Sequence, residues 1–137
     1  MKVVLDTNVL VSALLTPHGP AARILDAVLA GRLFLLFDDR VFREYGEVLN
    51  RDRFGFSPED VRELLEFIRS EGQKVSAAPL AIELQDPDDL MFVEVAVAGK
   101  AEAIITGNQK HFPEGSYFGI PVMSPAEMLS RLQTTES

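Results

Sequence analysis

Val3-Val4-Leu5-Asp6-Thr7-Asn8-Val9-Leu10 is the stretch that decides the fold. Three consecutive apolar residues, two of them β-branched, read as a short strand buried on both faces. The run turns polar at Asp6, and Asn8 is placed to cap a helix from Val9 to about Leu15. A fully buried strand feeding straight into a helix is the opening of a strand–helix–strand unit, the repeat of a parallel sheet.

The rest of the chain continues that alternation. Thr16-Pro17-His18-Gly19-Pro20 is a loop, and Ala21 to Ala30 forms a helix with Ile24, Leu25, Val28 and Leu29 on one face, stopped by Gly31. Leu33 to Phe37 is a second buried strand. Val41 to Arg51 is a helix, and Ser57-Pro58-Glu59-Asp60 opens another that Gly72 ends. Lys74-Val75 begins a weak strand, and residues 77 to 85 carry no clear pattern. Asp86-Pro87-Asp88-Asp89 opens an apolar helix to about Ala98, closed by Gly99. Ala103-Ile104-Ile105 is a third buried strand ending at Thr106-Gly107-Asn108, Pro121-Val122-Met123 is a last strand, and Ser124-Pro125-Ala126-Glu127 caps a final helix. The expected architecture is α/β: one three-layer domain over residues 1–132, its parallel sheet flanked by helices, with residues 133–137 as a frayed tail. In such open sheets the site lies beyond the carboxyl ends of the strands, where strand order reverses. Asp6 and Asn8 leave one strand there, and Thr106 and Asn108 leave another.

Composition narrows the chemistry. The 137 residues include no cysteine, which excludes a disulfide scaffold and any thiolate-ligated zinc or iron–sulfur centre. A net charge of −8, from 13 Lys+Arg against 21 Asp+Glu, argues against holding nucleic acid by bulk charge. It leaves room for an enzyme that holds a cation and meets a polyanion locally. No apolar run approaches the about 20 residues of a membrane helix. The N-terminus meets a charge too soon for a signal peptide, so cytoplasmic residence is the expectation.

The acids form a candidate site. Asp6 is either a helix N-terminal residue or a metal-binding carboxylate at the rim of the sheet. On the Val41–Arg51 helix the apolar stripe centres on Tyr45. Glu44 falls about 100° from that centre, at the border of the stripe, whereas Glu47 falls about 160° away and faces solvent, which favours Glu44. Asp86, Pro87 and the acids after them make a good helix start, yet three carboxylates in one turn exceed what capping needs and repel each other unless a cation screens them. Asp89, next to the apolar run, is the inward member; Asp86 and Asp88 would support it. The EF-hand glycine and glutamate are missing, as are a dinucleotide fingerprint and a P-loop. His18 and His111 read as surface or packing histidines. Lys110, Arg51 and Arg53 are candidate phosphate contacts. Tyr117 and Phe118 either pack or stack on a base.

With these residues placed, the sequence resembles the PIN-domain family. The resemblance rests on Val3–Leu10, Glu44-Tyr45-Gly46-Glu47-Val48-Leu49, Asp89 with Phe92, Val93 and Ala96, and Ile104-Ile105-Thr106-Gly107-Asn108, in the family's order. The run from Asp86 to Phe112 is most similar to the VapC-like prokaryotic subgroup described as toxins of toxin–antitoxin systems. The resemblance implies an acidic site that binds Mg²⁺ or Mn²⁺ and cleaves single-stranded RNA. It places the family's acids on Asp6, Glu44 and Asp89, with Asn8 as companion and Thr106 as support. The fourth acid falls on Asn108, an amide, which removes one negative charge and weakens a second metal position. It further implies a homodimer and a cognate antitoxin. Phe54, Phe56 and Leu64-Leu65-Ile68 offer apolar surface for such partners, or close the domain's own core. Two other functions compete. One is a nucleic-acid-binding or regulatory module with a degraded metal site; the other is a phosphatase using Asp6 as nucleophile, disfavoured because Asn8 stands where that chemistry expects a second aspartate.

Overall fold

The computed structural model describes residues 1–136; Ser137, the end of the expected tail, lies outside the described residues. Six strands form one sheet: β1 (Lys2–Leu5), β2 (Phe34–Phe37), β3 (Gln73–Lys74), β4 (Ala103–Ile105), β5 (Ser116–Tyr117) and β6 (Ile120–Met123). Their order is β3-β2-β1-β4-β6-β5. All neighbouring pairs are parallel except the hairpin of β5 with β6. The central strands are apolar along their length because helices cover them; Val3, Val4, Ala103, Ile104 and Ile105 are wholly buried.

The connecting helices are α1 (Thr7–Leu15), α2 (Pro20–Leu29), α3 (Asp39–Leu49), α4 (Pro58–Glu71), α5 (Leu90–Gly99) and α6 (Pro125–Glu136). Helix α5 packs across β1, β2 and β4, while α2 packs on α1 and α6. The three-layer α/β architecture is as the sequence implies. The chain moves from β1 outward to β2 and β3, then returns through α5 to β4 on the other side of β1. The reversal of strand order therefore falls between β1 and β4. Leu5 pairs with Ile105, so the residues that follow each strand emerge side by side.

Several local expectations need correction. Asp6, not Asn8, occupies the N-cap position of α1, because the helix begins at Thr7. α3 starts earlier than its apolar pattern, at Asp39, because the Asp38 carboxylate accepts the Val41 amide at 3.0 Å. Gly99 ends α5, but the left-handed residue beyond it is Lys100. Glycine is required at 99 for proximity: a Cβ there would lie 2.6 Å from Leu36 Cδ1. The last helix runs through Glu136, past the end expected at residue 132. Leu64 and Ile68 are core residues, not partner surface. Among the described residues, no helix is long and apolar enough to cross a membrane.

A candidate acidic metal centre at the strand-order reversal

The carboxyl ends of β1 and β4 place Asp6 and Thr106 together. The Asp6 amide donates to Ile105 O at 2.9 Å, and the Thr106 amide donates to Met123 O at 2.9 Å, which pins both residues to the sheet. The Asp6 side chain makes no helix-capping hydrogen bond. Its Oδ2 instead accepts from Thr106 Oγ1 at 2.8 Å and from Asn8 Nδ2 at 3.1 Å. Asn8 Oδ1 in turn accepts the Gly107 amide at 3.0 Å, so Asn8 clamps the two strand ends as well as orienting Asp6. These contacts orient the Asp6 carboxylate between the two strand ends.

Glu44 reaches the same region from α3. Tyr45, its neighbour, is fully buried and donates its hydroxyl to Leu5 O at 2.6 Å, tying α3 to the end of β1. Glu44 then accepts a hydrogen bond on Oε2 from Thr7 Oγ1, the residue after Asp6. Glu47 is exposed, as the helical wheel requires.

The acidic turn divides its labour. Asp86 Oδ1 accepts the Asp88 amide at 2.9 Å, so Asp86 is a local cap and exposed. Asp88 is also exposed and acts on Glu44 through its field alone. Asp89 turns inward and is 8% exposed, comparable with Asp6 at 6%. Its Oδ2 is buried, 3.0 Å from His111 Nδ1, yet has no aligned hydrogen-bond donor. His111 Nε2 lies 2.9 Å from Asn108 Nδ2. Asn108 therefore engages the site through an imidazole, and its own amide N–H donates to Thr106 Oγ1 at 3.0 Å.

Burial makes all three acids harder to ionise, and repulsion adds to it at Glu44 and Asp89. Desolvation raises the Asp6 carboxyl, against the lowering pull of Thr106, the Asn8 and Thr7 amides and His111. Desolvation also raises Glu44, helped by the charges of Asp6 and Asp88. Asp89 is pushed up to about 6, first by desolvation and then by Asp6. Each group loses solvation, and Glu44 and Asp89 also feel the like charge of Asp6, a situation a cation relieves.

The donor set fits a hard divalent ion: carboxylate oxygens, one of them buried without a donor, and no sulfur. Among the described residues, no three His, Asp or Glu side chains stand close enough together to hold a metal ion as they are placed.

Of the expected basic contacts, Lys110 is exposed on the 3₁₀ turn Gln109–His111, and Arg51 is exposed but close enough to Glu44 to favour its charge. Arg53 is turned onto the Phe54 ring, 4.8 Å from its centroid. Tyr117 packs edge-on against Phe112, so it does not face the site as a stacking surface, while Phe118 is exposed.

Three participants escaped the sequence reading. Thr7 lies between two named residues in Asp6-Thr7-Asn8, and only the fold shows that it reaches Glu44. His111 read as a surface or packing histidine, although its spacing of three from Asn108 was a usable signal. Glu94, 5% exposed inside the apolar α5, was passed over. It accepts from Arg40 Nη1 at 2.8 Å and from the Leu80 amide at 2.8 Å, and Arg40 Nη2 also pairs with Asp38 at 2.7 Å. A lone acid in an apolar helix is itself a sign of buried pairing. The network ties α3, α5 and the irregular segment before Asp86 together beside the site.

A family model described as the PIN domain matches residues 2–110. Comparison with curated proteins yields no significant match. Among solved structures, a chain of the crystal structure of VapBC2 from Rickettsia felis bound to a DNA fragment from their promoter matches with a TM-score of 0.59 and 17% identity, over 90% of this chain and 98% of that one. At that identity the likeness is one of fold. The family model spans most of the chain and takes in Asp6, Glu44 and Asp89, so the chain belongs to the PIN-domain family.

Proposed function

We propose that this chain is a Mg²⁺- or Mn²⁺-dependent endoribonuclease that hydrolyses phosphodiester bonds of single-stranded RNA, as the toxin of a type II toxin–antitoxin pair. The observation that supports the reading is that the charge of Asp6, at the strand-order reversal of a PIN fold, bears on two other desolvated carboxylates, Glu44 and Asp89. The antitoxin half of the reading is supported by the fold neighbour, a VapBC2 complex. Cytoplasmic residence and homodimer formation belong to the same reading.

Asp6, Glu44 and Asp89 would hold the ion, directly or through water. When bound, a hard divalent cation activates a water and neutralises charge developing on the phosphoryl oxygens. Everything else falls to the protein. Thr106 and Asn8 fix the Asp6 carboxylate by donating to the same oxygen, leaving Oδ1 free of them. Thr7 holds Glu44 toward Asp6. Asn108 steadies His111, which flanks Asp89. Without the ion the three acids repel the scissile phosphate and no water is activated there, so activity should require added metal. Arg51 and Lys110 are the side chains proposed to meet phosphates on either side.

The test is cleavage of mixed single-stranded RNA with and without Mg²⁺ or Mn²⁺, comparing wild type with Asp6→Ala. Metal-dependent cleavage lost in Asp6→Ala supports the reading, and cleavage at full rate in EDTA refutes it. One observation favours a second reading: the Asn108 side chain engages His111 where a fourth acid would face the ion. On that reading the chain is a weak or non-catalytic nucleic-acid-binding module. Asn108→Asp separates the two. Increased metal affinity and cleavage indicate a live but weakened site, and unchanged inactivity with RNA binding retained indicates the module.

A further inference from the structure

The segment Arg51–Phe56, which follows α3, carries an aromatic stack that the core does not use. Gly55 adopts the left-handed conformation (φ 65°) and reverses the chain, so that Phe56 folds back onto Phe54. The two rings stack with centroids 5.5 Å apart and planes 12° apart. Phe56 also touches the core, whereas Phe54 is not part of it. The Arg53 guanidinium covers Phe54, with Cζ 4.8 Å from the ring centroid. Arg53 is exposed, and among the described residues neither it nor Arg51 is held in an ion pair. Asp52, exposed between them, is the one acid of the segment.

We propose that Arg53, backed by Phe54 and Phe56, is a stacking platform for a nucleobase of the single-stranded RNA, a few nucleotides from the phosphate at the acidic centre. This rests on the ribonuclease reading and adds to it where the strand runs. A planar cation already seated on an aromatic ring is pre-organised: it presents a flat face to a base and a positive charge to the adjoining phosphate. The position suits the strand, because Arg51, on the same segment, lies within electrostatic range of Glu44. The chemistry also selects the occupant. In a chain of net charge −8, two arginines held in no ion pair, one of them within electrostatic range of Glu44, mark a local path for a polyanion. A docking apolar peptide would instead need the Phe54 face that Arg53 covers.

The experiment measures binding of a short, 5′-fluorescein-labelled single-stranded RNA by anisotropy in EDTA, where cleavage does not intervene. Wild type, Arg53→Ala, Arg53→Lys and Phe54→Leu are compared, each with its melting temperature. Stacking on one base supports about a tenfold loss of affinity in Arg53→Ala at unchanged melting temperature. Arg53→Lys, which keeps the charge without the plane, should recover less than half of that loss on a logarithmic scale. An abasic nucleotide at the contacted position should weaken wild type and leave Arg53→Ala unaffected. Equal affinity of wild type and Arg53→Ala, full rescue by Arg53→Lys, or indifference to abasic sites throughout the strand would each overturn the platform. Metal-dependent cleavage that persists in Arg53→Ala with unchanged KM removes the platform alone; absence of cleavage by wild type under any metal removes the ribonuclease reading beneath it.

Discussion

Asp89→Asn should make the metal-free protein more stable while removing its response to metal. In the fold the Asp89 carboxyl is raised from 3.8 to about 6, so the native state binds its proton more tightly than the unfolded chain does. The sign follows from linkage. Stability is highest where Asp89 is protonated in both states, declines as pH rises through the window between those two values, and stays reduced above it. A gap of about two units at 1.36 kcal/mol each sets a ceiling of about 3 kcal/mol near pH 7.5, and about half of that at pH 5. The opposing loss is the His111 contact, whose imidazole is 40% exposed. A pair that open to water contributes about 0–1 kcal/mol. Desolvation therefore wins, and Asp89→Asn should gain about 1–2 kcal/mol in EDTA at pH 7.5, or several degrees of melting temperature. The assay is thermal denaturation in EDTA at both pH values, repeated with Mn²⁺. The gain should shrink at pH 5, and Mn²⁺ should raise the melting temperature of wild type alone. A variant less stable than wild type at pH 7.5, or a gain equal at both pH values, would refute the claim that a desolvated carboxylate drives the effect.

Three other perturbations have definite expected outcomes. Glu94→Ala leaves the Leu80 amide without its acceptor and Arg40 with Asp38 alone; because Arg40 is half exposed and keeps that pair, the loss in urea denaturation should be about 1–3 kcal/mol, below the range for a fully buried pair. Gly99→Ala brings a methyl within 2.6 Å of Leu36 and should destabilise by about 1–3 kcal/mol despite the better helix propensity of alanine; a stabilised variant would show that Leu36 moves freely. His111→Ala removes the link between Asn108 and Asp89, and calorimetric titration should register about a tenfold loss of Mn²⁺ affinity with little change in melting temperature.

Much of this was legible before any coordinates. Val3-Val4-Leu5 and Ala103-Ile104-Ile105 are apolar on both faces because helices cover both faces of the sheet, and their polar ends meet because the strands are neighbours at the reversal. Glu44 was separable from Glu47 because a helix fixes side-chain direction to within a fraction of a turn. The sequence signal failed where structure is tertiary in origin. β3 and β5 span two residues each at the sheet edges, too short for any periodicity to register. Residues 77 to 85 follow no repeat, and one of the contacts that holds them, from the Leu80 amide to Glu94, comes from far along the chain. Asp86 and Asp88 share the composition of Asp89, and only packing decides which acid turns inward. His111 stands three residues from Asn108, but its pairing with Asp89 exists only in the folded chain.

Direct titration of Mn²⁺ into the metal-free protein, by calorimetry or electron paramagnetic resonance, addresses the acidic centre itself without relying on a substrate. Wild type should show saturable binding that is lost or severely weakened in each of Asp6→Ala, Glu44→Ala and Asp89→Ala, with all three variants folded. Saturable binding that survives all three substitutions, or none in wild type, would contradict the assignment of these carboxylates as the ion's holders.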